Sequence, residues 1–171
     1  MNIAFIGFRG TGKTTIGKRV AKRLNMKFTD IDKEIVKTAG KSVPEIFAQS
    51  GEEGFRILER KAVADISSQD NMCIACGGGV VLFKENIDNL KRNSTIILLE
   101  AQARVIYRRI RNDSNRPSLT GKEKMDEIIQ LLGEREPLYE AAAEMKFDTS
   151  QDSVPQTVQK IIDELNERGK I

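Results

Sequence analysis

Residues 7–15, GFRGTGKTT, constrain the fold of this chain more than any other stretch. They follow the apolar run IAFI and lead into residues 13–24, where Ile16, Val20 and Leu24 recur at a spacing of four. That spacing places three apolar side chains on one face of a helix. A strand, a glycine-rich turn and an amphipathic helix in this order predict a parallel strand–helix unit.

The glycine-rich turn matches the pattern G-x-x-x-x-G-K-[ST] through Gly7, Gly12, Lys13 and Thr14. Gly10 and Gly12 let the backbone curve closely around an anion, and successive N–H groups then point into one concavity. The following helix adds its positive N-terminal end. Lys13 could then reach the β- and γ-phosphates of a nucleotide, and the Thr14 hydroxyl could ligate Mg²⁺. A simple glycine turn with an incidental lysine is the alternative. The position of the motif between a predicted strand and a predicted helix favours nucleotide phosphate binding.

The rest of the chain continues the alternation of apolar runs and amphipathic stretches. Strands are predicted over residues 2–8, 26–32, 71–76, 94–100 and 145–149. Helices are predicted over residues 13–24, 33–39, 52–68, 83–93, 101–111, 124–143 (interrupted near Pro137) and 154–168, with Ser42 as a further N-cap. No repeat or linker divides the 171 residues. We therefore expect one doubly wound α/β domain with a five-stranded parallel sheet.

Composition narrows the chemistry. The chain has no histidine, so a carboxylate is the natural general base. Its net charge is only +3, with acidic and basic residues interspersed and no tryptophan, which argues against a nucleic-acid binder. No apolar run approaches the roughly 18 residues of a membrane span, and the N-terminus carries no basic leader. We expect a cytoplasmic protein without membrane partners.

The two cysteines form the spacing C-x-x-C through Cys73 and Cys76. This spacing is compatible with a redox or metal site. In a strand, however, positions i and i+3 lie about 10 Å apart on opposite faces. We expect two buried strand residues instead.

Two further signals stand where strands are predicted to end. Asp30 and Asp32 close the second strand, and residues 77–79 (GGG) follow the third. Ligands of open parallel sheets bind at the carboxyl ends of the strands. Asp30 and Asp32 would share one face of an extended chain, where Asp30 could hold water on Mg²⁺ and Asp32 could accept a proton from a hydroxyl. A helix N-cap and a plain tight turn are the respective alternatives.

Five segments in order carry a resemblance to a known family. They are GFRGTGKTTIGKRVAKRL, FTDIDKEIVKTAGKSVPEIFAQSGEEGFRILE, ACGGGVV, RPSL and REPLYEAAA. At this spacing the chain resembles the shikimate kinases, small P-loop kinases that phosphorylate the 3-hydroxyl of shikimate with ATP. The resemblance implies a three-layer P-loop kinase fold in one domain, residues 1–171, with a mobile lid at about 112–123 and a substrate-binding helical segment at about 33–62.

The resemblance also implies roles for individual residues. Arg56 and Arg135 would pair with the shikimate carboxylate, and Asp32 would hold the reacting hydroxyl. The implied sets are Asp32, Arg56, Gly77, Gly78, Gly79 and Arg135 for shikimate; Gly10, Thr11, Gly12, Lys13, Thr14, Thr15, Arg109 and Arg116 for ATP; Thr14 and Asp30 for Mg²⁺; and Lys13, Asp32 and Arg116 for catalysis. Arg109 would pack on adenine, and Arg116 would bridge the γ-phosphate and the substrate.

The resemblance therefore implies ATP and Mg²⁺ as cofactors and shikimate as the small-molecule substrate of a monomer in aromatic amino acid biosynthesis. Two alternatives are weighed against it. One is another small-molecule P-loop kinase, acting on gluconate or a nucleoside monophosphate. The other is a non-catalytic relative that binds nucleotide.

Overall fold

The structure is a computed structural model that describes residues 1–114 and 118–171. Its strands are β1 (Asn2–Ile6), β2 (Lys27–Asp30), β3 (Met72–Ala75), β4 (Ser94–Glu100) and β5 (Met145–Asp148). Its helices are α1 (Lys13–Arg23), α2 (Ile31–Ala39), α3 (Val43–Ser67), α4 (Lys84–Lys91), α5 (Ala103–Ile110), α6 (Lys124–Ala142) and α7 (Val154–Glu167), with a 3₁₀ turn at Val80–Leu82.

The five strands form one parallel sheet in the order β2-β3-β1-β4-β5. Every residue of β1 is buried, as expected for a central parallel strand covered on both faces. Ile3 and Phe5 of β1 pack against α1 and α7, whereas Ala4 and Ile6 face the other helices. The predicted three-layer α/β fold with a five-stranded parallel sheet is confirmed.

The strand order determines where the site lies. Because β2, β3 and β1 are parallel neighbours, their carboxyl ends meet at one edge of the sheet. The segments that follow them, residues 7–15, 31–32 and 76–79, therefore come together although they are distant in sequence. No helix in the described part of the chain is long and apolar enough to cross a membrane.

Several element boundaries differ from the sequence-based expectation. The expected helix over residues 52–68 is the second part of α3, and the first part begins at Val43, where Ser42 and Glu45 form a reciprocal N-terminal cap. The two parts meet in a kink at Gly51, whose φ of 64° is not helical, so residues 52–67 form a separate helical stretch as expected. Pro137 does not interrupt α6, which runs on to Ala142. Burial of the apolar face of α6 in the core maintains this helix where local sequence alone predicts a break.

Candidate active site

A cleft of about 640 Å³ opens at the carboxyl ends of β1, β2 and β3. It is lined by residues from the phosphate-loop motif, from the start of α2 and α3, and from the turn after β3. The predicted site residues among them are Gly10, Gly12, Lys13, Thr14, Thr15, Asp30, Asp32, Gly77 and Gly78. The topology thus gathers into one cavity the three segments that the sequence singled out.

The phosphate loop has the backbone that its motif requires. Gly12 is the N-cap of α1 with a φ of 99°, a left-handed conformation that favours glycine over any residue with a Cβ. Lys13 is buried, and its Nζ donates to the carbonyl oxygens of Gly7 and Phe8 at 2.8 Å each. The ammonium group is thereby held across the loop at the floor of the cleft. Positive charge and the amide end of α1 suit this place to a polyphosphate.

A hydroxyl and a carboxylate meet beside this loop. The Thr14 Oγ1 donates to Asp30 Oδ2 at 2.7 Å. The same carboxylate caps α2, because Asp30 Oδ1 accepts from the amide of Lys33 at 3.3 Å. Magnesium is usually held by one or two protein oxygens together with substrate phosphates, so this oxygen pair next to the phosphate loop fits that ion.

Asp32 lies on the same rim but not as predicted. It was expected to extend from β2 on the same face as Asp30; instead β2 ends at Asp30 and Asp32 occupies the first turn of α2. The N-cap at Asp30 starts the helix two residues earlier than the D-x-D spacing suggested. Asp32 nevertheless lines the same cleft as the phosphate loop.

A smaller cavity adjoins the cleft and contains the predicted arginines. Its lining includes Arg56, Arg135 and Gly79, and it shares Arg9 and Gly78 with the cleft. Both Arg56 and Arg135 are buried, at 4% and 6% exposure. Two buried guanidinium groups in one pocket can hold a carboxylate by paired N–H···O bonds.

Two glutamates that the sequence did not single out position Arg56. Its Nη1 donates to Glu59 Oε1 at 2.8 Å, and its Nη2 to Glu52 Oε1 at 3.2 Å. Glu59 has no exposure, whereas the side chain of Glu52 is 44% exposed. The spacing of three and four residues along α3 was the available signal, since such pairs lie on one helix face.

The glycine turn after β3 packs directly on this arginine. A Cβ at Gly79 would lie 2.3 Å from both terminal nitrogens of Arg56, so only glycine lets the guanidinium approach the backbone here. The preceding carbonyl, of Gly78, accepts a short hydrogen bond from the Tyr139 hydroxyl. Burial raises the pKa of Tyr139 to about 12, so the phenol stays protonated and keeps donating. Tyr139 stands in the REPLY segment, but its role emerges only from the structure.

Arg109 is held between the phosphate loop and the end of the sheet. Its Nη1 donates to the Gly10 carbonyl at 3.0 Å and its Nη2 to the Thr149 carbonyl at 2.7 Å. The Thr149 hydroxyl in turn donates to the carbonyl of Thr11 at 2.9 Å. Thr149, in the segment DTSQDS (148–153), is thus a further structural support of the loop. Thr11 itself is buried.

Two other sequence expectations have different outcomes. Arg116 lies outside the described residues. The cysteines are both free and buried, as expected, but only Cys73 is a strand residue, because β3 ends at Ala75 and Cys76 follows it. Burial raises the pKa of the Cys73 thiol to about 12 and also raises that of Cys76, so neither is a thiolate near neutral pH.

Comparison with known proteins agrees with this geometry. A family model described as shikimate kinase matches residues 9–166. The shikimate kinase of Pelotomaculum thermopropionicum is 45% identical over 170 residues, covering 99% of this chain and 98% of the relative. That of Caldanaerobacter subterraneus is 46% identical over 161 residues, covering 94% of each chain. A solved structure of shikimate kinase from Acinetobacter baumannii in complex with shikimate superposes with a TM-score of 0.94 at 32% identity, covering 98% of this chain and 93% of that one.

Proposed function

The chain belongs to the shikimate kinase family, and from this premise we propose how its residues divide the work of phosphoryl transfer. The reaction is the ATP-dependent phosphorylation of the 3-hydroxyl of shikimate, giving shikimate 3-phosphate and ADP. The family match and the relatives favour it over a gluconate or nucleoside monophosphate kinase and over a non-catalytic relative. The single observation that supports the residue assignment is the pocket of two buried arginines that adjoins the phosphate cleft.

The cleft accepts the polyphosphate of ATP. Backbone amides of residues 10–15 surround the phosphates, and Lys13 places its charge beside them. Phosphoryl transfer needs little covalent chemistry from the protein, so positioning and charge stabilisation supply most of the rate. Arg109 binds on the adenine side, where it is already tied to Gly10 and Thr149.

Thr14 and Asp30 would hold Mg²⁺. When bound, the ion neutralises negative charge on the transferring phosphate. The hydroxyl–carboxylate pair at 2.7 Å offers two oxygens, one of them charged, at the edge of the phosphate loop. Asp30 therefore has two tasks, since it also caps α2.

The small pocket takes the shikimate carboxylate. Arg135 presents its guanidinium from α6, and Arg56 presents its own from α3. Glu59 is fully buried and keeps Arg56 in place, whereas the partly exposed Glu52 is the partner that an incoming carboxylate can displace. The ring of the acid would lie against the Gly77–Gly79 turn and extend past Gly78, which lines both cavities, into the cleft.

Asp32 then faces the acceptor hydroxyl. Without a histidine in the chain, this carboxylate is the base at the rim of the cleft. It orients the hydroxyl toward the γ-phosphate and accepts its proton as the new P–O bond forms. The proposal also includes Arg116 as a charge partner of the transferring group from a lid at about 112–123, and a substrate-binding segment at about 33–62. The cytoplasmic location, the monomeric state and the absence of nucleic-acid partners stay predictions.

The test is ADP release from MgATP with and without shikimate, with gluconate and nucleoside monophosphates as control acceptors. We expect release to depend on shikimate. Arg135→Lys should raise the KM for shikimate by about tenfold or more, since a lysine keeps the charge but loses the planar fork. Arg92→Lys, at an exposed position after α4, is the matched control and should leave the KM unchanged. An Arg135→Lys effect confined to ATP would contradict the carboxylate assignment.

A further inference from the structure

One carboxylate in the first part of α6 holds three residues of the preceding segment. Glu127 Oε1 accepts from the backbone amides of Leu119 at 2.6 Å and Thr120 at 2.8 Å. It also accepts from the hydroxyls of Ser118 at 2.9 Å and Thr120 at 3.2 Å. The side chain of Glu127 is only 3% exposed. A buried carboxylate that collects four donors from three consecutive residues fixes their position relative to α6.

The second oxygen of the same carboxylate faces the phosphate loop. Glu127 Oε2 lies 3.5 Å from Nη2 of Arg9, whose side chain is 23% exposed. Arg9 lies between the loop glycines Gly7 and Gly10 and lines both the cleft and the small arginine pocket. Glu127 thus connects segment 118–120 to the loop that binds phosphate.

The segment held in this way is part of the acceptor pocket. Leu119 lines the small cavity together with Arg56 and Arg135, and Leu131 of α6 lines it as well. The backbone amide of Leu119 makes the shortest of the four hydrogen bonds to the Glu127 carboxylate. This bond fixes the backbone of Leu119 and thereby the position from which its side chain enters the cavity. Displacing this segment would therefore change the shape of the pocket that receives the carboxylate end of the acceptor.

We propose that Glu127 is a positioning residue for the acceptor, which with Arg9 joins Ser118–Thr120 to the phosphate loop and so sets Leu119 over the arginine pocket. This inference rests on the proposed function, because it assigns the small cavity to shikimate. It concerns the ground-state shape of the acceptor pocket, so its effect belongs in the KM for shikimate rather than in that for ATP. Arg9 acts through Glu127 as the loop-side member of the pair.

The charge state of Glu127 agrees with this role. Burial raises the pKa of this carboxyl, but the hydrogen bonds from Thr120, Ser118 and Leu119 together outweigh burial, and the net pKa is lowered. Glu127 is therefore ionised at neutral pH, as a partner of Arg9 and of four donors should be.

A second anchor lies three residues earlier on α6. Lys124 Nζ donates to the carbonyl oxygens of Ile110 and Arg111 at 3.1 Å each and of Asp113 at 3.3 Å. It therefore holds the residues at the end of α5, whereas Glu127 holds residues 118–120. Only the Glu127 anchor reaches the arginine pocket, so only that anchor is assigned a role in acceptor binding.

The experiment compares Glu127→Ala, Glu127→Gln and the matched control Asp126→Ala. Asp126 is an exposed carboxylate one residue earlier on the same helix. For each protein we would measure the melting temperature, the KM for shikimate and for MgATP, and hydrogen exchange of the Leu119 and Thr120 amides. Glu127→Ala should raise the KM for shikimate about tenfold, leave that for MgATP within about twofold, and expose both amides to exchange. Glu127→Gln keeps an acceptor oxygen, so its KM for shikimate should rise only about threefold. Asp126→Ala should behave as the wild type.

Adding Arg9→Met tests the pair itself. If Arg9 acts through Glu127, the KM effect of Glu127→Ala should be at least about twofold smaller in the Arg9→Met background than in the wild type. Strictly multiplicative effects would overturn the pairing.

The other outcomes separate this inference from the proposed function. Faster amide exchange in Glu127→Ala with an unchanged KM for shikimate would show an anchor without a positioning role and would overturn the inference alone. Wild-type protein that released no ADP with shikimate would overturn the proposed function and, with it, this inference. If Glu127→Ala failed to fold, the Glu127→Gln variant would test the inference instead. A wild-type KM for shikimate and wild-type amide exchange in Glu127→Gln, together with an Arg9→Met effect that is the same in both backgrounds, would contradict the role of the Glu127 charge.

Discussion

Gly79→Ala is the substitution whose consequence can be worked most directly from the structure. The added Cβ would lie 2.3 Å from the terminal nitrogens of Arg56 and 2.4 Å from its Cζ, where ordinary contact begins near 3.4 Å. The guanidinium would have to retreat by the difference, about 1.1 Å. It cannot do so freely, because Glu59 holds Nη1 at 2.8 Å from a position with no exposure.

A displacement of about 1 Å at a substrate-positioning group can lower the rate about 10²-fold. We therefore expect kcat/KM for shikimate to fall about 10²-fold, which corresponds to about 2.8 kcal/mol of transition-state binding. The KM for MgATP should change by less than about twofold, because Gly79 borders the small arginine pocket and not the phosphate cleft. The assay is steady-state ADP release with shikimate and MgATP varied in turn.

Gly133→Ala is the matched control. Gly133 lies inside α6 at an exposed position, and a Cβ there would meet nothing within 4 Å. An alanine in the middle of a helix is more favourable than a glycine by up to about 1 kcal/mol, so this variant should be slightly more stable with unchanged kinetics. A Gly79→Ala enzyme with wild-type kcat/KM for shikimate would refute the reasoning, because Arg56 would then not depend on the glycine turn for its position.

Three further predictions concern other parts of the site. Tyr139→Phe should cost about 1–3 kcal/mol of stability and raise the KM for shikimate, since the carbonyl of Gly78 loses its buried donor; thermal unfolding and kinetics together check it, and an unchanged melting temperature would contradict it. Asp30→Asn should keep the α2 cap, because asparagine caps as well as aspartate, yet require more Mg²⁺ for half-maximal rate; an unaltered magnesium titration would remove Asp30 from the metal site. Neither Cys73 nor Cys76 should react with a thiol reagent at pH 8 in the folded protein, whereas both should react in guanidinium chloride, and rapid native labelling would show that a thiol is accessible. Because burial raises the pKa of Cys73 from 9.0 to about 12, its thiol ionises first in the unfolded chain, so this group stabilises the fold below pH 9 and loses that contribution as the pH rises toward 12.

Local sequence was sufficient wherever the physical cause is itself local. The phosphate loop could be predicted because a strand, three glycines and an amphipathic helix impose one backbone path, and Gly12 adopts the left-handed conformation that this path needs. The N-cap at Ser42 could also be predicted, since Ser42 and Glu45 form hydrogen bonds with each other within one turn. The end of β2 could not be predicted, because the Asp30 side chain accepts a hydrogen bond from the amide of Lys33 and the helix therefore starts before Asp32.

The roles of Arg56 and Arg135 came from resemblance and could not have come from composition, since the chain has 28 lysines and arginines. Neighbouring residues do not distinguish a buried arginine from an exposed one. Tyr139 and Thr149 were missed for a similar reason: the groups they bind, the carbonyls of Gly78 and Thr11, lie 61 and 138 residues away along the chain.

A parallel α/β sheet with a phosphate loop can be predicted from the residues alone, because periodicity, glycine and helix capping act over a few residues. Which charges lie together depends on tertiary packing. Parallel order brings the ends of β2, β3 and β1 to one edge, and the helices α3 and α6 bury Arg56 and Arg135 in the lining of one small cavity there. It also sets Glu127 between Ser118–Thr120 and Arg9, a contact that spans 118 residues and depends on burial of the carboxylate. Burial and long-range proximity are properties of the folded chain, and they determine the charge, the reach and the partners of each site residue.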